Sequence, residues 1–317
     1  MSLDPEFGRS GAFTLKYLTG SLLAIGLIGQ AHACDMQTEA REDMVSAYVK
    51  NGVICLQVPP GEFRFDADLE AMFAGKINTE RRKRGLTELQ VRPEILPAAR
   101  FHSLDMGVNQ YFDHISPKGR AAVYRVTAFD RTLLAQSTAE NIAVFGPTRC
   151  VNQEQEAVPC SKAMGFEPPE PDFIVRNLHQ KLMQSDGHRA NILNEDTTHF
   201  AVGVARTETG FYVTQVFVKQ RGALNQSLPT RIALNDTIPV APEIDGWGFG
   251  NFIIVDPDGE KTDLENSQLT GVETGAKTLF VRGKNVTREQ LENKIVQRTE
   301  LLELRGPAFN AVPAKGS

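Results

Sequence analysis

The chain holds a single tryptophan and four cysteines in 317 residues, and it lacks the short signatures of several enzyme classes. There is no HExxH, no GxSxG and no GxxxxGK[ST], which excludes zincins, nucleophile-elbow hydrolases and P-loop nucleotide enzymes. An excess of positive charge is also missing. The formal charge of -5 argues against a nucleic-acid binder, which needs a concentrated basic face. The one dense basic run, ERRKRG (Glu80–Gly85), reads as the cationic last turn of a helix closed by Gly85, where the helix dipole favours cations. GWGFG (Gly246–Gly250) looks like a phosphate loop, but a strand pattern follows it rather than a helix, so it reads as a turn or bulge. No CxxC pair supports a cysteine metal site.

A long apolar run is absent except near the start. Arg9 and Lys16 precede LTGSLLAIGLIG (Leu18–Gly29) and the small-residue site AHA (Ala31–Ala33), the three parts of a secretory signal peptide. The run is short of the roughly 20 residues a stable membrane span needs. MSLDPEF ahead of it reads as a vector scar, and residues 1–33 are expected to be leader. Export fits the cysteines: an even number implies two disulfides with three connectivities. The local pairing, Cys34–Cys55 and Cys150–Cys160, is preferred because each closes a short, polar, turn-rich segment; the second is worth about 3 kcal/mol by loop closure.

Residues 34–65 form an N-terminal extension. Leu69, Met72, Phe73 and Ile77 fall at helical spacing over about Asp66–Arg84, and a second helix is expected from Pro93 to Tyr111. SPKGR (Ser116–Arg120) is a turn, and the Pro- and Glu-rich stretch Thr148–Pro171 a long inserted loop. Helix returns from Asp172 to Gln184. HFAVGVARTETGFYVTQVFV (His199–Val218) then reads as a hairpin around TETG. This is an α+β pattern, with a main domain over 66–221. Residues 222–317 read as a smaller β-rich domain or extension. Its NVTREQLENKIVQRTELLEL is expected to be a terminal helix opened by a Thr287–Gln290 capping box.

Without a catalytic motif, the six histidines carry the chemistry. His32 lies in the leader. His179 reads as a surface helix residue, His102 as a hydrogen-bonded core or interface residue, and His199 opens a strand without a partner at ligand spacing. His114 and His188 differ, since each follows a helix and sits beside turn residues, where an imidazole can point into a cleft.

INTERRKRGLTELQVRPEILPAARFHSLDMGVNQYFDHISPKG, AENIAVF, SDGHRANIL, HFAVGVA and GFYVTQVFV occur in that order. Together they resemble the CAP (SCP) superfamily, in its secreted bacterial branch, over about Asp66–Val218. The resemblance implies an α-β-α sandwich with a cleft of two His and two Glu that can bind a divalent ion such as Zn²⁺, the alternative being an empty cleft in which Glu140 hydrogen-bonds to one His. His114 matches the first His, Glu140 the first Glu (with Ala139 where the family has Gly) and His188 the second His. Ser185 stands where the second Glu belongs, which removes a charge and a strong ligand unless Asp113 or Asp186 compensates. Gly187 is expected to turn the chain sharply, with Asn141, Arg189 and Asn191 supporting the cleft.

Three functions remain open: a secreted binding module for a lipid or protein ligand, a metal-dependent hydrolase using His114, Glu140 and His188, and a structural envelope protein. No feature names the ligand.

Overall fold

The computed structural model describes residues 34–36, 44–147, 150–151, 157–158, 169–291 and 294–314. The leader and most of the inserted loop, including Cys160, lie outside them, and with Cys160 the expected Cys150–Cys160 bond.

Six helices occur among the described residues: α1 (Met44–Gln57), α2 (Ala67–Arg82), α3 (Leu96–Asn109), α4 (Ala122–Phe129), α5 (Pro171–Gln184) and α6 (Asp186–Leu193). Each helix end has a local cause. Asp66 caps α2 by accepting from Leu69 N at 3.0 Å, and the chain leaves through Gly85 at φ +70°. In the ERRKRG run, Arg82 pairs with Glu88 while Lys83 and Arg84 pair with Glu80. Arg81 is buried and donates to the carbonyls of Thr87, Ile192 and Asn194. The run is therefore a tied helix end rather than a polyanion patch. A 3₁₀ turn over Pro93–Ile95 leads into α3, which stops at Gln110 in the left-handed region.

The strands are β1 (Arg64–Phe65), β2 (Gln90–Val91), β3 (Leu133–Phe145), β4 (Cys150–Val151), β5 (Ala157–Val158), β6 (His199–Arg206), β7 (Phe211–Leu224), β8 (Arg231–Ala233), β9 (Pro242–Ile244), β10 (Gly248–Val255), β11 (Lys261–Asp263), β12 (Gly275–Leu291) and β13 (Lys294–Val312). All but the small β4–β5 hairpin join one sheet in the order β1-β6-β7-β3-β13-β12-β10-β11. Alternation along the strands builds two cores, because successive side chains point to opposite faces. Phe200, Val202 and Val204 of β6 pack with Phe73 and Ile77 of α2 and Leu178 of α5. Ala201 faces the other way, toward Ala99 of α3 and Val126 of α4. The described residues up to Leu224 thus place helices on both faces of the sheet, as an α-β-α sandwich requires. Gly203 sets the closeness of α3: a Cβ there would meet the Ala99–Arg100 backbone at 2.2–2.3 Å.

Beyond Leu224 the sheet continues without a break. β9 pairs with β7 (Gly222↔Ile244) and β13 meets β3 at Arg305↔Ala135. A core of Phe252, Leu279, Val281, Leu304 and Phe309 lies under these strands. The expected bulge in GWGFG is a register shift between Phe249 and Asn251.

The expected terminal helix is a correction. Residues 287–291 and 294–304 are strand, in a ladder paired from Gly275↔Ala311 to Leu291↔Lys294. The capping box is a signal four residues long and the helix preference behind it is weak. Val286, Thr287, Ile295, Val296 and Thr299 are β-branched and favour the pleated ladder. His179 is a second correction. It is buried, not on the surface, because it lies four residues after Val175 and so shares the apolar face of α5.

Candidate functional site

The site gathers where β3 carries AENIA. Glu140 and Asn141 are neighbours on a strand, so their side chains leave on opposite faces. Glu140 points toward α3 and α4, and Asn141 toward α6. From Gln136 onward β3 pairs only with β7 among the described residues, so its other edge borders the cleft.

On the Glu140 side each carboxylate oxygen accepts a hydrogen bond. Arg125 of α4 donates to Oε2 at 2.6 Å, and His114 Nδ1 lies 3.0 Å from Oε1. A carboxylate only accepts, so Nδ1 carries the proton. The same guanidinium holds the loop that presents His114, donating from Nη1 and Nη2 to the His114 carbonyl at 3.1 Å each. His102 stands behind, with Nε2 3.1 Å from the Asp113 carbonyl oxygen and 3.7 Å from Glu140 Oε1. It is the hydrogen-bonded core residue expected.

On the other face, Asn141 Nδ2 donates to the His188 carbonyl and to Gln215 Oε1, each at 3.1 Å. Asn191 Nδ2 donates to the Glu140 carbonyl at 3.2 Å and to Asn141 Oδ1 at 2.9 Å. Arg189 holds the Met183 carbonyl at 3.1 Å. Asn141, Asn191 and Arg189 thus fix backbone. Gly187 does not make the turn assigned to it. The break falls at Ser185, extended at φ -86° and ψ 126° between α5 and α6, and Gly187 and His188 lie in the first turn of α6.

The two imidazoles face each other with ring centroids 6.5 Å apart, in different electrostatic states. The hydrogen bond to Glu140 raises the His114 pKa against a smaller opposing effect of burial. Burial lowers that of His188, helped by the charge of His114. Burial alone would raise the Glu140 carboxyl, but His114 and Arg125 together hold it below its usual range. His102 is pushed down to about 3, by burial first and then by Arg125.

A divalent ion does not fit this arrangement as a three-ligand site. Each Glu140 oxygen already accepts a hydrogen bond, one of them from a buried guanidinium whose charge opposes a cation. The His188 carbonyl is held on the Asn141 face of β3, opposite the face from which the Glu140 carboxylate projects. Asp113 Oδ1 accepts from Ile115 N and Asp186 pairs with Arg189, so neither replaces the carboxylate lost at Ser185. Among the described residues no three His, Cys, Asp or Glu side chains are placed to hold a metal. Nor is either imidazole hydrogen-bonded to a Ser, Thr or Cys side chain among them.

Residues 74–218 match the profile of the cysteine-rich secretory protein family, CAP. Those residues are a CAP domain. Within the CAP domain, the chain is similar to the uncharacterized protein YkwD of Bacillus subtilis (strain 168), 32% identical over 141 residues, 44% of this chain and 43% of that protein. It is also similar to the uncharacterized membrane protein YlbC of the same organism, 30% identical over 146 residues, 45% of this chain and 32% of that one. A crystal structure of an extracellular protein containing a SCP domain from Bacillus anthracis str. Ames aligns at 25% identity with a TM-score of 0.35, covering 49% of this chain and 41% of that one. The chain spans less than half the length of the curated relatives it matches.

Arg125 is the residue sequence reasoning missed. Its signal was a lone charge in the apolar helix AVYRVTAF, where only a buried partner makes an arginine tolerable.

Proposed function

We propose that the chain is an exported binding protein that takes a protein partner at the His114–His188 edge of its CAP domain and performs no metal-dependent hydrolysis there. The observation that carries this reading is the closed Arg125–Glu140–His114 cluster. A carboxylate bonded by a guanidinium and an imidazole N–H positions a loop, and the buried guanidinium beside it opposes a cation. The loop it positions carries Phe112 and Ile115, exposed at 51% and 54%, on either side of an imidazole whose side chain is half exposed. Two apolar side chains around an imidazole make a small anchor of the kind protein interfaces use. Export is supported by the Cys34–Cys55 disulfide, a bond that persists in oxidising compartments. No helix among the described residues is long and apolar enough to cross a membrane.

The test places a photo-crosslinking residue at position 112 in cells, with Val91, exposed elsewhere, as the control site. A discrete protein adduct from position 112 alone is the expected result. Hydrolysis of a peptide or ester that disappears in His188→Ala while the fold is kept would overturn the reading.

A further inference from the structure

The outer part of the β12–β13 ribbon has no third strand. β10 last pairs with β12 at Gly248↔Lys284, and β13 next meets β3 at Arg305↔Ala135. Beyond those points, residues 285–291 pair only with β13, and residues 294–304 only with β12, among the described residues. A two-stranded ribbon is marginal by itself in water, and an open strand edge presents a row of backbone donors and acceptors to another chain. The β13 side of this ribbon is also apolar in places, with Ile295 exposed at 72% and Leu301 at 60%.

Charges on an edge strand ordinarily keep a second edge away. On β13 they are placed to attract one. A twofold axis at Gln297 pairs the segment 294–300 antiparallel with its own copy. Lys294 then lies opposite Glu300 of the second copy, and symmetry supplies the same pair again. Neither Lys294 nor Glu300 has an ion pair within the chain among the described residues. On the other face of the ribbon Ile295 falls opposite the second copy's Thr299, with its Leu301 on the diagonal and within side-chain reach. Arg298, 3.8 Å from Glu289, falls opposite Val296 and keeps its own partner.

Neighbouring registers fail on the same side chains. An axis at Val296 sets Lys294 against Arg298, and one at Arg298 sets that residue against itself. An axis at Thr299 runs the pairing into Glu303, already tied to Lys261 and Arg282, and into buried Leu304.

We propose that β13 is a dimerisation edge, joining two copies of this chain about Gln297 into a continuous β12-β13-β13-β12 sheet. The interface is isologous, so each contact occurs twice. It uses none of the residues at the His114–His188 edge.

Sedimentation of the full chain from micromolar to millimolar concentration tests the proposal. A monomer–dimer equilibrium is expected. Lys294→Glu and Glu300→Lys each turn two attractive pairs into repulsive ones and should weaken the dimer about tenfold, with melting curves confirming that both variants fold. An equimolar mixture of these two variants should dimerise again, because each then offers the charge the other needs. Gln297→Cys should form an interchain disulfide under mild oxidation, since residues directly opposite across an antiparallel pair lie at a distance the bond can span, whereas Glu289→Cys on β12 should not. A chain that stays monomeric throughout, a dimer that both charge variants keep, or a mixture no more dimeric than its components would overturn the proposal.

Discussion

Arg125 Nη2 lies 2.6 Å from Glu140 Oε2, and both side chains are almost wholly buried. The pair anchors the His114 loop to the sheet through the two bonds to the His114 carbonyl. Removing one partner strands the other charge. Arg125→Met is therefore expected to cost about 3–5 kcal/mol, read as a lower urea midpoint. The double variant Arg125→Met, Glu140→Gln should recover part of that loss, since no unpaired charge remains; a double variant worse than the sum of the singles would contradict the pairing.

Stability should fall as pH drops below about 6.5, the ordinary value for histidine. His102 is held down to about 3 in the folded protein, so the unfolded chain binds a proton that the native state refuses. At two pH units below 6.5 this costs about 3 kcal/mol. His114, raised by Glu140, works oppositely: its contribution is present at low pH and is lost as pH rises through its folded pKa. It is half exposed, so screening keeps that contribution small. Glu140, held low, loses its contribution only as pH falls through its folded pKa. Urea titrations across pH 4.5–7.5 should thus show a decline on the acid side that His102→Gln reduces.

Gly203→Ala should destabilise the domain by about 1–3 kcal/mol. The new Cβ would meet the α3 backbone, which is packed against β6 and has no flexible end to move aside. A melting temperature equal to the wild type would mean that α3 does not press on β6 as closely as described.

Replacing Cys34 and Cys55 with serine should cost about 3 kcal/mol, because the bond closes a separation of 21 residues. Chemical unfolding with and without reductant measures it. In the reduced wild type the same loss is expected, and in the serine variant none.

The elements legible in the sequence are those whose signal repeats over several turns or pleats. The 69-72-73-77 spacing of α2, the Pro93 entry into α3 and the alternation of β6 and β7 each have physical redundancy. Residues 287–304 were not legible, because a capping box is local and the β13 ladder depends on partners far along the chain. At the site, the ordered motifs pointed to His114, Glu140 and His188. The opposite facing of Glu140 and Asn141 follows from their adjacency on a strand, but only once β3 is known to run through them. Arg125 showed only as a lone charge in an apolar helix, and its role was not legible for a similar reason: its partner lies fifteen residues on, with no periodic relation to it.

The most direct test of the account is Zn²⁺ titration calorimetry on the wild type and on His188→Ala. If Glu140 is committed to Arg125 and His114, the wild type takes up no stoichiometric metal and the two titrations match. Tight, one-to-one binding that His188→Ala abolishes would contradict it and return the cleft to metal chemistry.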